Sequence, residues 1–285
     1  MNLSSPSASV FCPDGRAEGD ALRSTRQLGV VAHADDLEIA AVKGILDCFA
    51  AAEPAFSGVV VCDGAGAPRQ GDLLSLSETD YRQLREQEQR RAATIGRYSA
   101  VIGLGHPSAH VRARASEVGG DLDEVLRFVE PEIVYTHCPV DSHDTHVAVA
   151  LEVIQALRRR PQSRRPTRLI GCEVWRDLDW LPDEHRVALD VGAHPQLQQE
   201  LLLAFASQIG GGKRYDRAVL GRRSAHATFH RAHEADQTTG LLFGVDLTPL
   251  IQPDGPDVRA FTLKLIDALR EDVEARFSRL RSDGS

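Results

Sequence analysis

The sequence predicts an α/β fold: a Rossmann-like, mostly parallel β-sheet with helices on both faces and a C-terminal elaboration. Three observations predict it. Between residues 27 and 175, short valine- and isoleucine-rich runs alternate with longer helical patterns, the rhythm of βαβ units that build a parallel sheet. Two clusters of histidine and aspartate follow directly on two of those runs, at the carboxyl ends of strands, where such sheets bind ligands. A length of 285 residues with 42% hydrophobic content is enough for one large domain with a sizeable core.

The elements follow in order. Residues 1–26 are rich in Ser, Pro, Gly and Asp and read as a loose arm. LGVVAH (28–33) is a strand, and a helical pattern runs from Asp36 to about Ala51. FSGVVVCDG (56–64) is a second strand ending in Asp-Gly, followed by a Gly- and Ser-containing loop (64–80). DYRQLREQEQRRAATIG (80–96) is a helix of strong helix formers. SAVIGLG (99–105) is a third strand, DLDEVLRFVEP (121–131) a helix stopped by proline, and EIVYTH (132–137) a fourth strand. HVAVALEVIQALRRR (146–160) is a helix and RLIGCEVW (168–175) a fifth strand. Beyond Trp175 the rhythm loosens: a strand at 186–191, a helix at 196–209, a polar stretch at 210–233 that reads as too polar for a core element, and an amphipathic helix at 261–277. The expected division is an arm (1–26) and one domain (27–285), comprising a Rossmann-like core (27–175) and the elaboration (176–285).

A net charge of −8 with 26% charged residues argues against a nucleic-acid partner, which wants a basic face. The basic run RRRPQSRRP (158–166) reads as a helix C-terminus closed by prolines. Cys12, Cys48, Cys62, Cys138 and Cys172 are odd in number and contain no C-x-x-C pair. They read as reduced thiols of a cytoplasmic protein. The N-terminus has no signal-peptide pattern, and no run approaches the roughly 20 apolar residues of a membrane span.

The chemistry lies in His33-Ala34-Asp35-Asp36 after the first strand and Asp141-Ser142-His143-Asp144-Thr145-His146 after the fourth. Imidazole and carboxylate suit a divalent ion such as zinc, and a catalytic zinc site takes three protein ligands with one open position. The strand end offers His33 and Asp36; the helix start offers His143 or His146. Asp35 remains as a carboxylate beside the metal, able to take a proton from the attacking water. The other histidine of the H-x-x-H pair can face the substrate carbonyl. Asp35 or Asp36 can also serve as helix N-cap.

AHADDLE resembles the A-H-P-D-D-E signature of the PIG-L/LmbE-like zinc-dependent N-acetylglucosaminyl deacetylases, and the second cluster is similar to that family's D-x-H-P-D-H motif. CDG (62–64) is similar to its T-D-G, and REQEQRRAA (85–93) to its R-x-x-E helix. The resemblance covers residues 28 to 155. It implies His33, Asp36 and His146 as metal ligands, Asp35 as general base, His143 as stabiliser of the tetrahedral intermediate and Arg85 near the substrate. Two departures stand out: Ala34 replaces the signature proline, and Thr145 replaces the motif's aspartate, which leaves Asp141 or Asp144 to orient His143. The implied cofactor is Zn²⁺, with Fe²⁺ or Co²⁺ as alternatives. The implied reaction removes the N-acetyl group of an amino-sugar-containing small molecule. Alternatives are an amidase of the same family cleaving another acyl or thiol-conjugate amide, or an inactive sugar-binding member. A homo-oligomer is expected.

For the substrate, Trp175 and Arg176 follow a strand and can reach the crevice, with Trp175 or Trp180 available to stack on a sugar. Lys213 is one of only three lysines and stands beside Arg214 in a glycine-rich stretch. That pair suits an anionic group.

Overall fold

The computed structural model describes residues 1–282. Its strands are β1 (Ser9–Phe11), β2 (Gln27–Val31), β3 (Phe56–Cys62), β4 (Ala100–His106), β5 (Ile133–His137), β6 (Arg168–Cys172), β7 (Val187–Asp190) and β8 (Leu241–Asp246). Its helices are α1 (Glu18–Arg23), α2 (Asp36–Ala40), α3 (Val42–Phe49), α4 (Glu78–Ile95), α5 (Ser108–Arg112), α6 (Ser116–Phe128), α7 (Asp144–Arg159), α8 (Pro195–Leu203), α9 (Ala206–Gly210), α10 (Tyr215–Phe229) and α11 (Val258–Ser282).

One sheet of eight strands runs in the order β1-β4-β3-β2-β5-β6-β8-β7. The central five, β4-β3-β2-β5-β6, pair in parallel. The expectation of a mostly parallel sheet needs correction at the edges. β1 joins β4, β8 joins β6 and β7 joins β8, all antiparallel, so the sheet is mixed. The chain grows outward from β2 through β3 to β4, then returns to the far side of β2 as β5. The loops leaving β2 and β5 therefore diverge from adjacent strands, at the switch point where open α/β sheets form a crevice.

Alternation along the strands feeds two apolar layers. Leu28, Val30, Val59 and Val61 face one layer with helices α1, α6 and α7. Val31 and Val60 face the other, with α2, α3 and α8. Close packing of α2 depends on glycine. Gly29 and Gly58 are register partners, and Leu37 of α2 fills the notch they leave: a Cβ on Gly29 would stand 2.6 Å from Leu37 Cδ2, and one on Gly58 would collide with Leu37 Cδ1.

The N-terminal segment expected as a loose arm carries structure. β1 completes the sheet, α1 buries Ala21 and Leu22, and Ser4 donates its backbone N–H to Asp121 Oδ1 at 2.8 Å. The stretch 210–233, read as too polar for a core element, contains α10. Its inward polar groups are buried with partners: Arg223 donates to Gln198 Oε1 at 2.8 Å and to Glu38 O at 2.7 Å, and His226 stacks on Phe243 at 4.0 Å. The pattern expected as one helix at 36–51 divides at Ala41 into α2 and α3, and that at 196–209 divides into α8 and α9. Among the described residues, no helix is long and apolar enough to cross a membrane.

Candidate metal centre and its cavity

β2 ends at Val31 and the chain turns so that Asp36 donates its N–H to His33 O at 3.3 Å. The turn holds Asp35 at φ 92°, a left-handed conformation that costs a non-glycine residue on the order of 1–3 kcal/mol. Asp35 occupies the N-cap position of α2, yet its side chain caps nothing. Its carboxylate instead lies 3.5 Å from Arg85 of α4. From the other strand, the loop after β5 leads into α7. His143 sits at that helix's N-cap, and His146 is fully buried in its first turn.

These two turns bring three donor atoms together. His33 Nδ1 lies 3.1 Å from Asp36 Oδ2, His146 Nε2 lies 3.2 Å from the same oxygen, and the two imidazole nitrogens are 3.2 Å apart. Ligand atoms placed at about 2.0–2.1 Å around one tetrahedral ion stand about 3.3 Å from one another. The spacing and the His/Asp/His chemistry therefore fit a divalent metal such as zinc. Asp36 Oδ2 also accepts the backbone N–H of His33 at 2.9 Å. Burial alone would raise the Asp36 carboxyl, but His146 and His33 outweigh it and hold the group ionised, well below the usual range.

The surrounding groups orient the donors. Asp141 Oδ2 lies 3.3 Å from His146 Nδ1 and accepts the Trp175 N–H at 3.2 Å, while Oδ1 accepts the His143 N–H at 2.9 Å. Asp141 thus fixes the His146 ring. Asp144 is exposed at the first position of α7. The expectation that Asp141 or Asp144 orients the His143 ring is corrected: its Nδ1 accepts the Thr145 N–H at 3.3 Å, because the ring itself caps α7. With Nδ1 used as acceptor, the neutral ring carries its proton on Nε2.

Asp35 is buried, and burial pushes its carboxyl up to about 6 against the opposing pull of Arg85. Arg85 is itself fixed by Glu88 at 3.2 Å and by the Ala34 carbonyl, and Glu88 in turn accepts the Ser207 N–H at 2.6 Å. Ser207 belongs to α9, so the C-terminal elaboration braces the arginine beside the candidate base.

The donors open into a cavity of about 520 Å³ lined by His33, Asp35, Asp36, Arg85, His143 and Trp175 together with Arg112, Tyr215 and Arg222. Lys213 stands over the Trp175 ring at 5.1 Å. The other expected substrate residues fall elsewhere. Arg176 is exposed and outside the cavity, and Arg214 turns away to pair with Asp216. Trp180 donates its ring N–H to Asp177 O, also outside the cavity.

The sequence reading passed over His137. It ends β5, accepts the Ala32 N–H at 2.8 Å and stacks on His146 at 3.8 Å, with Nε2 3.5 Å from Asp36. Its place at a strand's carboxyl end, four residues before Asp141, was the available signal. His137, Asp141 and His146 form a second three-donor group. The His137 Nε2 and Asp141 Oδ2 atoms are already engaged by Ala32 and Trp175, so we read this group as support for His146. Arg112 was missed because an arginine in a polar segment carries no pattern.

The model of the PIG-L family, described as GlcNAc-PI de-N-acetylase, matches residues 28–157, which hold all three donors together with Asp35 and His143. The similarity to the PIG-L family thus spans residues 28–157, somewhat under half of the chain. No curated protein matches the chain by sequence. Solved structures share the fold beyond the PIG-L region. The N,N'-diacetylchitobiose deacetylase from Pyrococcus horikoshii aligns with TM-score 0.58 at 15% identity, covering 81% of this chain and 88% of its own. A conserved protein from Thermus thermophilus gives 0.59 at 16%, covering 78% and 94%. The 4-carboxy-2-hydroxymuconate hydratase from Pseudomonas putida gives 0.57 at 17%, covering 82% and 98%. At these identities the likeness is one of fold. The PIG-L match supports a deacetylase-type hydrolase, and His33, Asp36 and His146 form a candidate metal-binding group.

Proposed function

We propose that the chain is a zinc-dependent N-deacetylase that hydrolyses the acetamide of an amino-sugar-containing small molecule. The carrying observation is the convergence of His33, Asp36 and His146 with Asp35 beside them and free of a capping role. Zinc held by the three donors would supply Lewis acidity and water activation near neutral pH. Fe²⁺ or Co²⁺ would suit the same donors. Asp35 takes the proton of the attacking water, and Arg85 holds that carboxylate in place. His143 donates Nε2–H to the oxygen on which negative charge develops. Asp35 then returns its proton to the departing nitrogen, and acetate and a free amine leave. Trp175, 44% exposed on the cavity wall, offers an aromatic face to a sugar ring.

Elemental analysis of the native chain and His146→Ala tests the reading. About one zinc per chain is expected in the native protein, and loss of it in the variant. A native chain that binds no metal even after zinc is added would sink the proposal. The five unpaired cysteines support a reducing, cytoplasmic setting.

We also propose self-association through α11, which exposes Leu263, Ile266, Val273, Phe277 and Leu280 at the spacing of a coiled-coil seam. Antiparallel pairing of two copies about the seam's midpoint sets Leu263 against Leu280, joining apolar to apolar. Arg270 holds the remaining seam position and pairs with Asp267 of its own helix. Sedimentation should show a dimer that Phe277→Lys converts to monomer; a native monomer at all concentrations would refute it.

A further inference from the structure

The geometry points to a substrate bearing an anionic group, phosphate or carboxylate, held by Arg112, Arg222 and Lys213. This rests on the deacetylase reading above, and because an acetyl group carries no charge, the anion belongs to the amine-bearing half.

The argument begins with charge pairing. The chain holds 41 acidic residues against 33 Lys and Arg, so a basic side chain finds acids in excess. Most arginines near the cavity are paired: Arg85 with Asp35 and Glu88, Arg82 with Asp63, Arg214 with Asp216. Arg112, Arg222 and Lys213 have no carboxylate within 4.0 Å among the described residues. Asp177 feels the charge of Arg222 but forms no ion pair with it. All three cations stand at one opening. Arg112 and Arg222 line the metal cavity, and Lys213 rests on the Trp175 ring that forms its wall.

Their existing contacts are few. Arg112 Nη1 reaches Thr145 Oγ1 at 3.4 Å, and Arg222 Nη1 donates to Val174 O at 2.6 Å. A guanidinium has five N–H donors, so most remain available. The Arg fork matches a carboxylate or phosphate, and a cavity of about 520 Å³ holds a sugar with one substituent.

Thr145 ties this arrangement to the chain's departure from the D-x-H-P-D-H motif. An aspartate at 145 would set a carboxylate against Arg112 and neutralise it. The threonine hydroxyl contacts the guanidinium without cancelling its charge. The threonine at 145 therefore leaves a cation facing the cavity.

Calorimetry on the holoenzyme tests this with three probes: glucosamine 1-phosphate, muramic acid (a carboxylate) and methyl glucosaminide (neutral). At least one anionic probe should bind about tenfold more tightly than the neutral one, and which one does so separates phosphate from carboxylate. Arg112→Gln and Thr145→Asp should each remove most of that preference, and Lys213→Gln, at an exposed position, should reduce it without disturbing the fold. Equal affinity for neutral and anionic probes would overturn the inference, as would a preference that survives all three variants, since the anion would then sit elsewhere, for instance on the metal. Acetate release from the matching N-acetyl compounds separates the two readings. Selective binding without release refutes the deacetylase and keeps the anion site; equal release and equal binding keep the deacetylase and refute the anion site.

Discussion

At the scale of single residues, Asp35 combines backbone strain with a position in the site. Its φ of 92° aims the carboxylate toward Arg85 and the cavity. Glycine tolerates that conformation and alanine does not. Asp35→Gly should therefore be more stable than Asp35→Ala by about 1 kcal/mol in denaturant unfolding, while both lose the carboxylate. Equal stability would show that the turn stores no strain. Asp35→Asn, nearly the same shape, should keep its metal while acetate release falls by about 10²–10⁴; near-native turnover would remove Asp35 from the base role. The HADD and D-x-H-x-x-H clusters were legible because metal-ligand types stand out at strand ends. The orientation of His143 was not, because a ring accepting a backbone N–H depends on the turn's geometry rather than on residue identity.

At the scale of elements, the metal centre depends on how closely α2 approaches the sheet. Leu37 follows Asp36 directly and occupies the notch between Gly29 and Gly58. A methyl group in that notch would lift α2 and carry Asp36 away from His146. Gly58→Ala is expected to cost about 1–3 kcal/mol from overpacking, read by chemical denaturation, and to weaken zinc binding in a competition titration. Unchanged zinc affinity with lowered stability would show that Asp36 is placed independently of α2. The central strands and α4 and α7 were readable, since apolar alternation and strong helix formers survive without context. α10 was not. Its buried Arg223 and His226 break the apolar period, and their acceptors Gln198 and Glu38 and stacking partner Phe243 lie far along the chain. β8 is a short run buried at every residue but the last, with no alternation to mark it.

At the scale of the whole molecule, the catalytic edge joins distant parts of the sequence. The segments that follow β2 and β5 supply the donors, α9 braces Arg85 through Glu88, and α10 supplies Tyr215 and Arg222 to the cavity. Ser207→Ala removes the hydroxyl that Glu88 accepts at 2.7 Å but leaves the Ser207 N–H bond. It should lower turnover modestly, with metal content unchanged; the native rate would mean that Arg85 needs no such brace. The sequence rhythm located the parallel centre of the sheet and the edge strand β7, but not β1 at the other edge, where pairing depends on a segment too short to carry a period. β1 has only three residues. Its pairing nonetheless shields β4, whose seven residues would otherwise present a free row of backbone donors and acceptors. An uncovered strand of this kind recruits other chains. Removing residues 1–12 should therefore show first as turbidity and poor yield on expression rather than as lost catalysis, and so short a segment would act as the molecule's safeguard against fibrillar self-templating.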